Sequence, residues 1–296
     1  VVMQEDCDVL EGGIRLRELP LAQQHIRPKG QDIAKGSVQY EGGERLGAAD
    51  VGLLASLGLA EIQLSKRPRV ALLSTGDELV EPGQLLAEGQ IYNSNRAMLT
   101  SLLVAMGCEV TDCGIVEDTA EATRQALADA AKDCDLIIST GGVSAGEADH
   151  VKAQVEALGR LKLWKLAIKP GKPLAYGRIG NAAFFGLPGN PSSGFVTFLI
   201  LVKPYLLAMQ GARELRPAQW VVKAGFAWQK AGSRQEYLRA RVELSEGEMV
   251  AKLHANQSSG VLASAAWANA LVVVPVGATF RKGDQVQVIL LSELMA

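Results

Sequence analysis

The sequence predicts an α/β protein: a central three-layer α/β/α domain with a mostly parallel sheet, a small C-terminal β-barrel, and a partial N-terminal β and helical region. Three observations predict it. From Arg69 onward, strand-like apolar runs alternate with helical ones, the pattern of a parallel sheet with helices on both faces. After about residue 211 the helical spacing gives way to short strands separated by Gly turns. Before residue 68 the chain is Gly-rich and irregular. The expected domains are therefore residues 1–67, 68–210 and 211–296.

In the first region Val9-Leu10 and the run 14-IRLREL-19 alternate like short strands. A helical patch follows over residues 48–60, with Leu53, Leu54, Leu57 and Leu59 on or near one face and Gly58 as a stop. The stretch SKRP, residues 65–68, reads as a linker. The central domain opens with a strand over 70–75. A helix over 95–107 has Met98, Leu99, Leu102, Leu103 and Met106 at helical spacing, and Gly107 just past its end. A strand over 108–116 leads to a helix over 119–133, capped by Asp118 or Thr119. Then come a strand over 135–140, a helix over 149–159, and strands over 161–169, 173–179 and 182–187. The last helix begins at Asn190-Pro191, a good cap followed by a residue suited to the first turn, and Pro204 should kink it. The tail reads as strands over 220–228, 237–244, 248–253, 271–277 and 285–291.

Composition narrows the function classes. The net charge is −2 and aromatics are 5%, which argues against nucleic-acid binding through a basic or base-stacking surface. No apolar run reaches the roughly 20 residues of a membrane span; the run 195–209 is interrupted by Lys203 and Pro204. No membrane partner is expected. Cys7, Cys108, Cys113 and Cys134 form neither a CxxC pair nor a Cys/His metal spacing, as reduced thiols of a cytoplasmic protein would. The opening Val-Val-Met-Gln-Glu reads as a sequence already under way, so the N-terminal region is expected to be truncated.

Ligands of an open parallel sheet sit outside the carboxyl ends of its strands. Here those ends carry Ser74-Thr75-Gly76-Asp77-Glu78, Glu117-Asp118 and Thr140-Gly141-Gly142. Asp77, Glu78, Asp118 and Asp149 should gather on one rim, where carboxylates suit Mg²⁺. Asp118 and Asp149 could equally be helix caps. The turn GGVSAGEAD (141–149) leaves a strand for a helix, so its backbone N–H groups can approach an anion. It matches neither GxGxxG nor a Walker A loop. Residues 157–213 hold no Asp or Glu but eight Lys and Arg, among them Lys165, Lys169, Lys172 and Arg178. In a strand over 161–169, Lys165 and Lys169 would share a face, and the whole segment reads as an anion site. The turn LPGNPSS (187–193) offers a second anion or ribose site, with the hydroxyls of Ser192 and Ser193. No Ser-His-Asp or Cys-His arrangement supports nucleophilic catalysis. Arg239 and Arg241 share one strand face and read as barrel surface.

STGDEL, VEDT, STGGVSAGEADHVK, KPGKP and LPGNPSS, in this order, resemble the molybdopterin molybdenumtransferase family, of MoeA and the gephyrin E-domain. The resemblance covers essentially the whole chain and is densest from Arg69 to Gly211. It implies that adenylylated molybdopterin and molybdate react with Mg²⁺ assistance to give molybdenum cofactor and AMP. By position it implies that Glu78, Asp118 and Asp149 hold the metal and serve catalysis. Ser74, Thr75, Gly76, Asp77, Gly141, Gly142, Ser144 and Gly146 would bind substrate from the strand ends. Lys165, Lys169, Lys172, Pro188, Asn190, Pro191 and Ser193 would bind it from the basic segment and its turns. The resemblance further implies a homodimer when the N-terminal region is complete, and the upstream molybdopterin adenylyltransferase as a partner. Two alternatives stand beside it: the adenylyltransferase reaction itself, and a non-catalytic binding or scaffold module.

Overall fold

A computed structural model describes residues 1–142 and 150–295, the side chains of Leu163 and Trp164 excepted. The chain forms two compact units, Val1–Glu44 and Arg45–Ala296. In the first, β1 (Cys7–Leu10) and β2 (Gly13–Leu16) make an antiparallel hairpin, pairing Cys7 with Leu16 and Leu10 with Gly13. An ion pair of 3.0 Å between Arg17 and Asp8 closes its open end. The second predicted strand thus stops at Leu16 rather than residue 19.

The second unit begins with α1 (Ala48–Ser56), whose first turn is held by Asp50 accepting from the Gly47 N–H at 2.6 Å. The α/β elements follow: β3 (Arg69–Thr75), the short β4 (Leu79–Val80) and β5 (Ile91–Tyr92), α2 (Ser94–Ala105), β6 (Glu109–Val116), α3 (Ala120–Asp133), β7 (Leu136–Thr140) and α4 (His150–Leu158). After them come β8 (Gly159–Lys165), β9 (Ile168–Lys169), β10 (Pro173–Ile179), β11 (Ala182–Leu187), α5 (Pro191–Thr197) and α6 (Lys203–Met209). The main sheet has six strands in the order β6-β3-β7-β11-β10-β8. Neighbours from β6 to β11 run parallel, and the β11–β10 and β10–β8 pairs are antiparallel.

Alternation along the central strands explains the three layers. Val70, Leu72, Leu136, Ile138, Phe185 and Leu187 pack against one helical layer, with Leu99 and Leu103 of α2 and Phe195 and Val196 of α5. Ala71, Leu73, Ile137 and Phe184 point the other way, onto Leu127 of α3 and Val151 and Val155 of α4. A strand buried on both faces needs an almost unbroken apolar run, which 70-VALL-73 and 136-LII-138 supply. Leu99, Leu103 and Leu127 are fully buried; truncating any one to Ala is expected to cost about 2–5 kcal/mol.

Between α5 and α6 the helix passes through a π turn, Phe198–Val202, in which the Lys203 N–H reaches back to the Phe198 carbonyl. Pro204 has no N–H to donate and crowds the preceding turn, so the kink expected there takes the form of a widened helix. The run Pro191–Met209 is long and apolar enough to cross a membrane, with 61% of its most apolar window buried inside the protein.

The C-terminal part contains β12 (Trp220–Ala224), β13 (Gln235–Ser245), β14 (Glu248–Leu253), β15 (Ala270–Val274) and β16 (Gln285–Leu290). The order β14-β12-β16-β15-β13 closes through a β13–β14 pairing into a five-stranded barrel. Valines and alanines fill it, including Val222, Ala240, Val272 and Val288. Closure leaves these short strands no free edge inside the ring. Two short helices, α7 (Leu262–Trp267) and α8 (Leu291–Met295), correct the expectation that helices end near residue 211.

A second correction concerns residues 161–169, read from sequence as one strand. The strand ends at Lys165, and Ile168–Lys169 forms a separate strand, β9, in the barrel's sheet. There Ile168 aligns with Gln235 and Lys169 with Glu236, in parallel. Lys165 and Lys169 therefore do not share a strand face.

Candidate active-site rim

The sheet register brings distant segments level. Ser74 pairs with Thr140, Thr75 with Val116, and Leu187 with Thr140. The turns after β3, β6, β7 and β11 consequently start from one edge. They carry Gly76-Asp77-Glu78, Glu117-Asp118, Gly141-Gly142 and Pro188-Gly189-Asn190. Asp149, Ser144 and Gly146, which the sequence assigns to the same rim, lie outside the described residues.

Below the rim is a buried polar floor. Thr140 donates its hydroxyl to Ser74 Oγ at 3.3 Å, and Ser74 donates to Asn93 Oδ1 at 3.5 Å. Asn93 caps α2 by accepting from the Arg96 N–H, and Asn95 donates from Nδ2 to the Gly189 carbonyl at 2.7 Å. Thr75 Oγ1, Asn93 Nδ2, Asn95 Oδ1 and Ser139 Oγ are buried with no hydrogen-bond partner among the described residues. Buried polar atoms are costly to leave unpaired, which makes this end of the sheet the candidate place for a polar ligand.

Close approach explains the glycines. Gly141 has φ +87°, and a Cβ there would sit 2.3 Å from the Thr75 carbonyl oxygen. The turn after β7 therefore lies directly on the end of β3. Gly76 is covered by the Glu78 carboxylate, which would stand 2.7 Å from a Cβ at that position.

Acids occupy the β3 and β6 side of the rim. Asp77 and Glu78 are exposed and Asp118 is half-buried. Thr119, not Asp118, caps α3, accepting from the Ala122 N–H at 3.3 Å. Asp118 is thus spared the capping role that competed with a ligand role. Among the described residues no three His, Cys, Asp or Glu stand close enough to hold a metal ion.

Lysines occupy the far side. β8 runs with β11 and ends at Lys165, while β10 runs against it and starts at Pro173, paired with Lys165. The loop between is closed by the Leu166 N–H donating to the Lys172 carbonyl at 2.9 Å. Lys165, Lys169 and Lys172 are all exposed. Lys169 is the most constrained, its ammonium 3.0 Å from the Glu236 carboxylate of β13, whose side chain is only 6% exposed.

The same register places Arg160 opposite Arg178 at the other end of these strands. The acid-free segment therefore divides its charge between the two ends of the sheet instead of forming a single anion site.

In the turn after β11, Pro188 and Ser193 are buried, Pro191 is half-buried and Asn190 is exposed. Ser192, read from sequence as a free hydroxyl, is occupied: its N–H donates to Ser259 and its Oγ to the Val261 carbonyl at 2.7 Å. The loop it grips belongs to the barrel and is held from behind by Arg239. This arginine is 1% exposed, not barrel surface. It donates to Ser264 Oγ and to the Ser258 carbonyl, each at 3.0 Å. Burial lowers its pKa to about 10, which keeps it charged at neutral pH. Arg241 is exposed, with its guanidinium 5.0 Å from the Trp267 ring centre. The sequence signal for Arg239 is faint: a charge in an alternating strand, and a polar loop elsewhere that covers it.

Comparison with known proteins agrees with this architecture. Residues 1–58 match the MoeA N-terminal region (domain I and II), residues 71–208 a probable molybdopterin binding domain, and residues 221–291 the MoeA C-terminal region (domain IV). The molybdopterin molybdenumtransferase of Haemophilus influenzae is 41% identical over 277 residues, covering 93% of this chain and 69% of its own. The chain belongs to the molybdopterin molybdenumtransferase family. That membership places it among the transferases of molybdenum cofactor biosynthesis. A Nostoc transferase is 33% identical, covering 95% of this chain and 66% of its own. The molybdopterin biosynthesis MoeA protein of Pyrococcus horikoshii superposes with a TM-score of 0.78 at 27% identity, over 98% of this chain and 71% of its own.

Proposed function

We propose that this chain inserts molybdenum from molybdate into adenylylated molybdopterin and releases AMP. The observation that carries this reading is the two-sided rim: carboxylates at the ends of β3 and β6, lysines at the ends of β8 and β9, and orphaned buried hydroxyls and amides between them. A pterin bearing a pyrophosphate-linked adenylate is a polyanion with polar edges, and such a cleft suits it. Lys165, Lys169 and Lys172 bind and orient the phosphates, and Thr75 and Ser139 supply hydrogen bonds to the ligand from the floor. The glycine turns at 76 and 141–142 let backbone N–H groups come close to it. A water or molybdate oxygen attacks the pyrophosphate, the P–O–P bond breaks and AMP leaves, while the pterin's own dithiolene sulfurs displace oxygens of molybdate, which depart as water with the thiol protons.

Mg²⁺ is part of the proposal. The donor set fits it in kind: Glu78 and Asp118 offer hard carboxylate oxygens, with Asp149 as the third donor expected from sequence. Held there, Mg²⁺ would supply positive charge against the pyrophosphate. We also propose a cytoplasmic homodimer that receives its substrate from the upstream molybdopterin adenylyltransferase.

The deciding experiment is AMP release from adenylylated molybdopterin, followed with and without molybdate and Mg²⁺. Release that requires molybdate and fails on chelation is the expected result. Accumulation of adenylate from molybdopterin, ATP and Mg²⁺ would instead assign the adenylyltransferase reaction. The barrel, matched by the MoeA C-terminal region, favours the transferase.

A further inference from the structure

The amino end of the main sheet holds a cavity of about 760 Å³, remote from the rim. Its walls come from the segment leading into β3, the end of α3, the β10–β11 turn and α6. That volume falls within the roughly 300–1,000 Å³ of small-molecule sites.

Its charge is one-sided. Lys66, Arg67, Arg69, Lys132 and Arg178 line it, with Asp135 as the single carboxylate of the lining. Asp135 is committed to Arg69, accepting from its N–H at 2.9 Å and from Nη2 at 3.1 Å. Lys132 is paired with Asp129 at 2.7 Å. Among the described residues, Lys66, Arg67 and Arg178 have no carboxylate within salt-bridge distance. Three cations outside any close ion pair in one concavity raise the local concentration of anions.

The two guanidiniums nearest the sheet are held in place. Arg69 is clamped by Asp135, and Arg178 donates from Nη2 to the Asn181 carbonyl at 2.8 Å. Arg69 is thus occupied by Asp135, while a guanidinium held beforehand, as Arg178 is, reduces the ordering cost of binding an anion. Beside Asn181 and Gly180, the remaining lining is largely apolar, with Pro68, Ala131, Cys134, Met209 and Tyr205. Tyr205 is itself braced edge-on by Phe185, ring centres 5.2 Å apart. A phosphate facing the cations and a flat ring facing Tyr205 and Met209 would satisfy both walls at once.

We propose that this basin binds a nucleoside monophosphate, its phosphate among Lys66, Arg67 and Arg178 and its base against Tyr205 and Met209. The site stands on its own geometry and does not depend on the reaction at the rim.

The test is calorimetric titration of the whole chain with AMP, adenosine and inorganic phosphate. It is run for wild type, for the double variant Arg67→Ala/Arg178→Ala, and for Lys169→Ala at the rim. Expected is AMP affinity that falls about tenfold or more in the double variant, survives Lys169→Ala, and weakens as salt rises. Adenosine and phosphate alone should each bind at least about tenfold more weakly than AMP. Thermal melting checks that the double variant, altered only at exposed side chains, remains folded. AMP binding unchanged in the double variant, or abolished by Lys169→Ala alone, overturns the proposal. So does phosphate binding as well as AMP, or no heat at millimolar AMP.

Discussion

The two ends of the main sheet both carry basic residues but share little else. At the carboxyl end, lysines face carboxylates across a floor of buried hydroxyls, and glycines let one turn lie on another. At the amino end, arginines and lysines surround a cavity with an apolar wall, and the turn glycine there, Gly180, has open space around it. The cause is strand direction. Four parallel neighbours finish on the same side, so segments far apart in sequence deliver their turns to one place. The opposite edge receives only the chain's entries into strands and the β10–β11 turn.

Glycine substitution should separate the ends most sharply. Gly141→Ala places a methyl against the Thr75 carbonyl in a left-handed backbone conformation. A loss of about 2–4 kcal/mol in unfolding free energy is expected. Gly180→Ala, at φ +55° with nothing within 4 Å, should cost only about 1 kcal/mol. Denaturant titration of both variants measures the contrast; equal losses would erase it.

Lys169→Ala should lower molybdate-dependent AMP release by roughly 10²-fold, as removal of a charge-stabilising donor commonly does, while Arg178→Ala leaves that rate within about twofold. A rate insensitive to Lys169 would remove the basic wall from the reaction. Glu236→Gln should be milder. It leaves Lys169 in place but frees its ammonium, so we expect KM to rise by about threefold to tenfold with little change in kcat, and Glu236→Asp to recover part of it. A fall in kcat at constant KM would contradict a positioning role for Glu236.

The smallest effect belongs to neither end. Arg96 on α2 bridges Asp112 on β6, Nε to Oδ2 2.6 Å, and Glu81, Nη1 to Oε2 2.6 Å. Burial raises the pKa of Asp112, but the Arg96 guanidinium and the Gly114 N–H together hold it below the ordinary carboxylate range. A depressed carboxylate stabilises the fold above its unfolded value of about 3.9, and that contribution fades as pH falls through the folded value. Melting curves should therefore show Asp112→Asn less stable than wild type at pH 7, by no more than about 1 kcal/mol. The gap should close below about pH 4.

Much of this was legible in one dimension. The runs VALL and LII give buried parallel strands because both of their faces need apolar residues. The spacing of Leu99, Leu102 and Leu103 gives α2, and Asn190-Pro191 gives the start of α5. The position of the rim follows from strand direction alone. What the sequence hid depends on partners distant along the chain. The break after Lys165 leaves no local mark, because the partner of Ile168–Lys169 is a strand some 67 residues later. Arg239 looks like a surface charge until the loop 256–260 closes over it. The acid-free segment looks like one site until the β8–β10 pairing shows that its two halves point to opposite edges. Helices α7 and α8 are six and five residues long, too short for periodicity to reveal.

The strand β9 has an engineering consequence. One lysine of the rim is threaded into the sheet of a neighbouring barrel and tethered there by a buried glutamate, so the barrel helps to position the rim. A minimal enzyme trimmed to the α/β core would lose the anchor of Lys169 even with every rim motif intact.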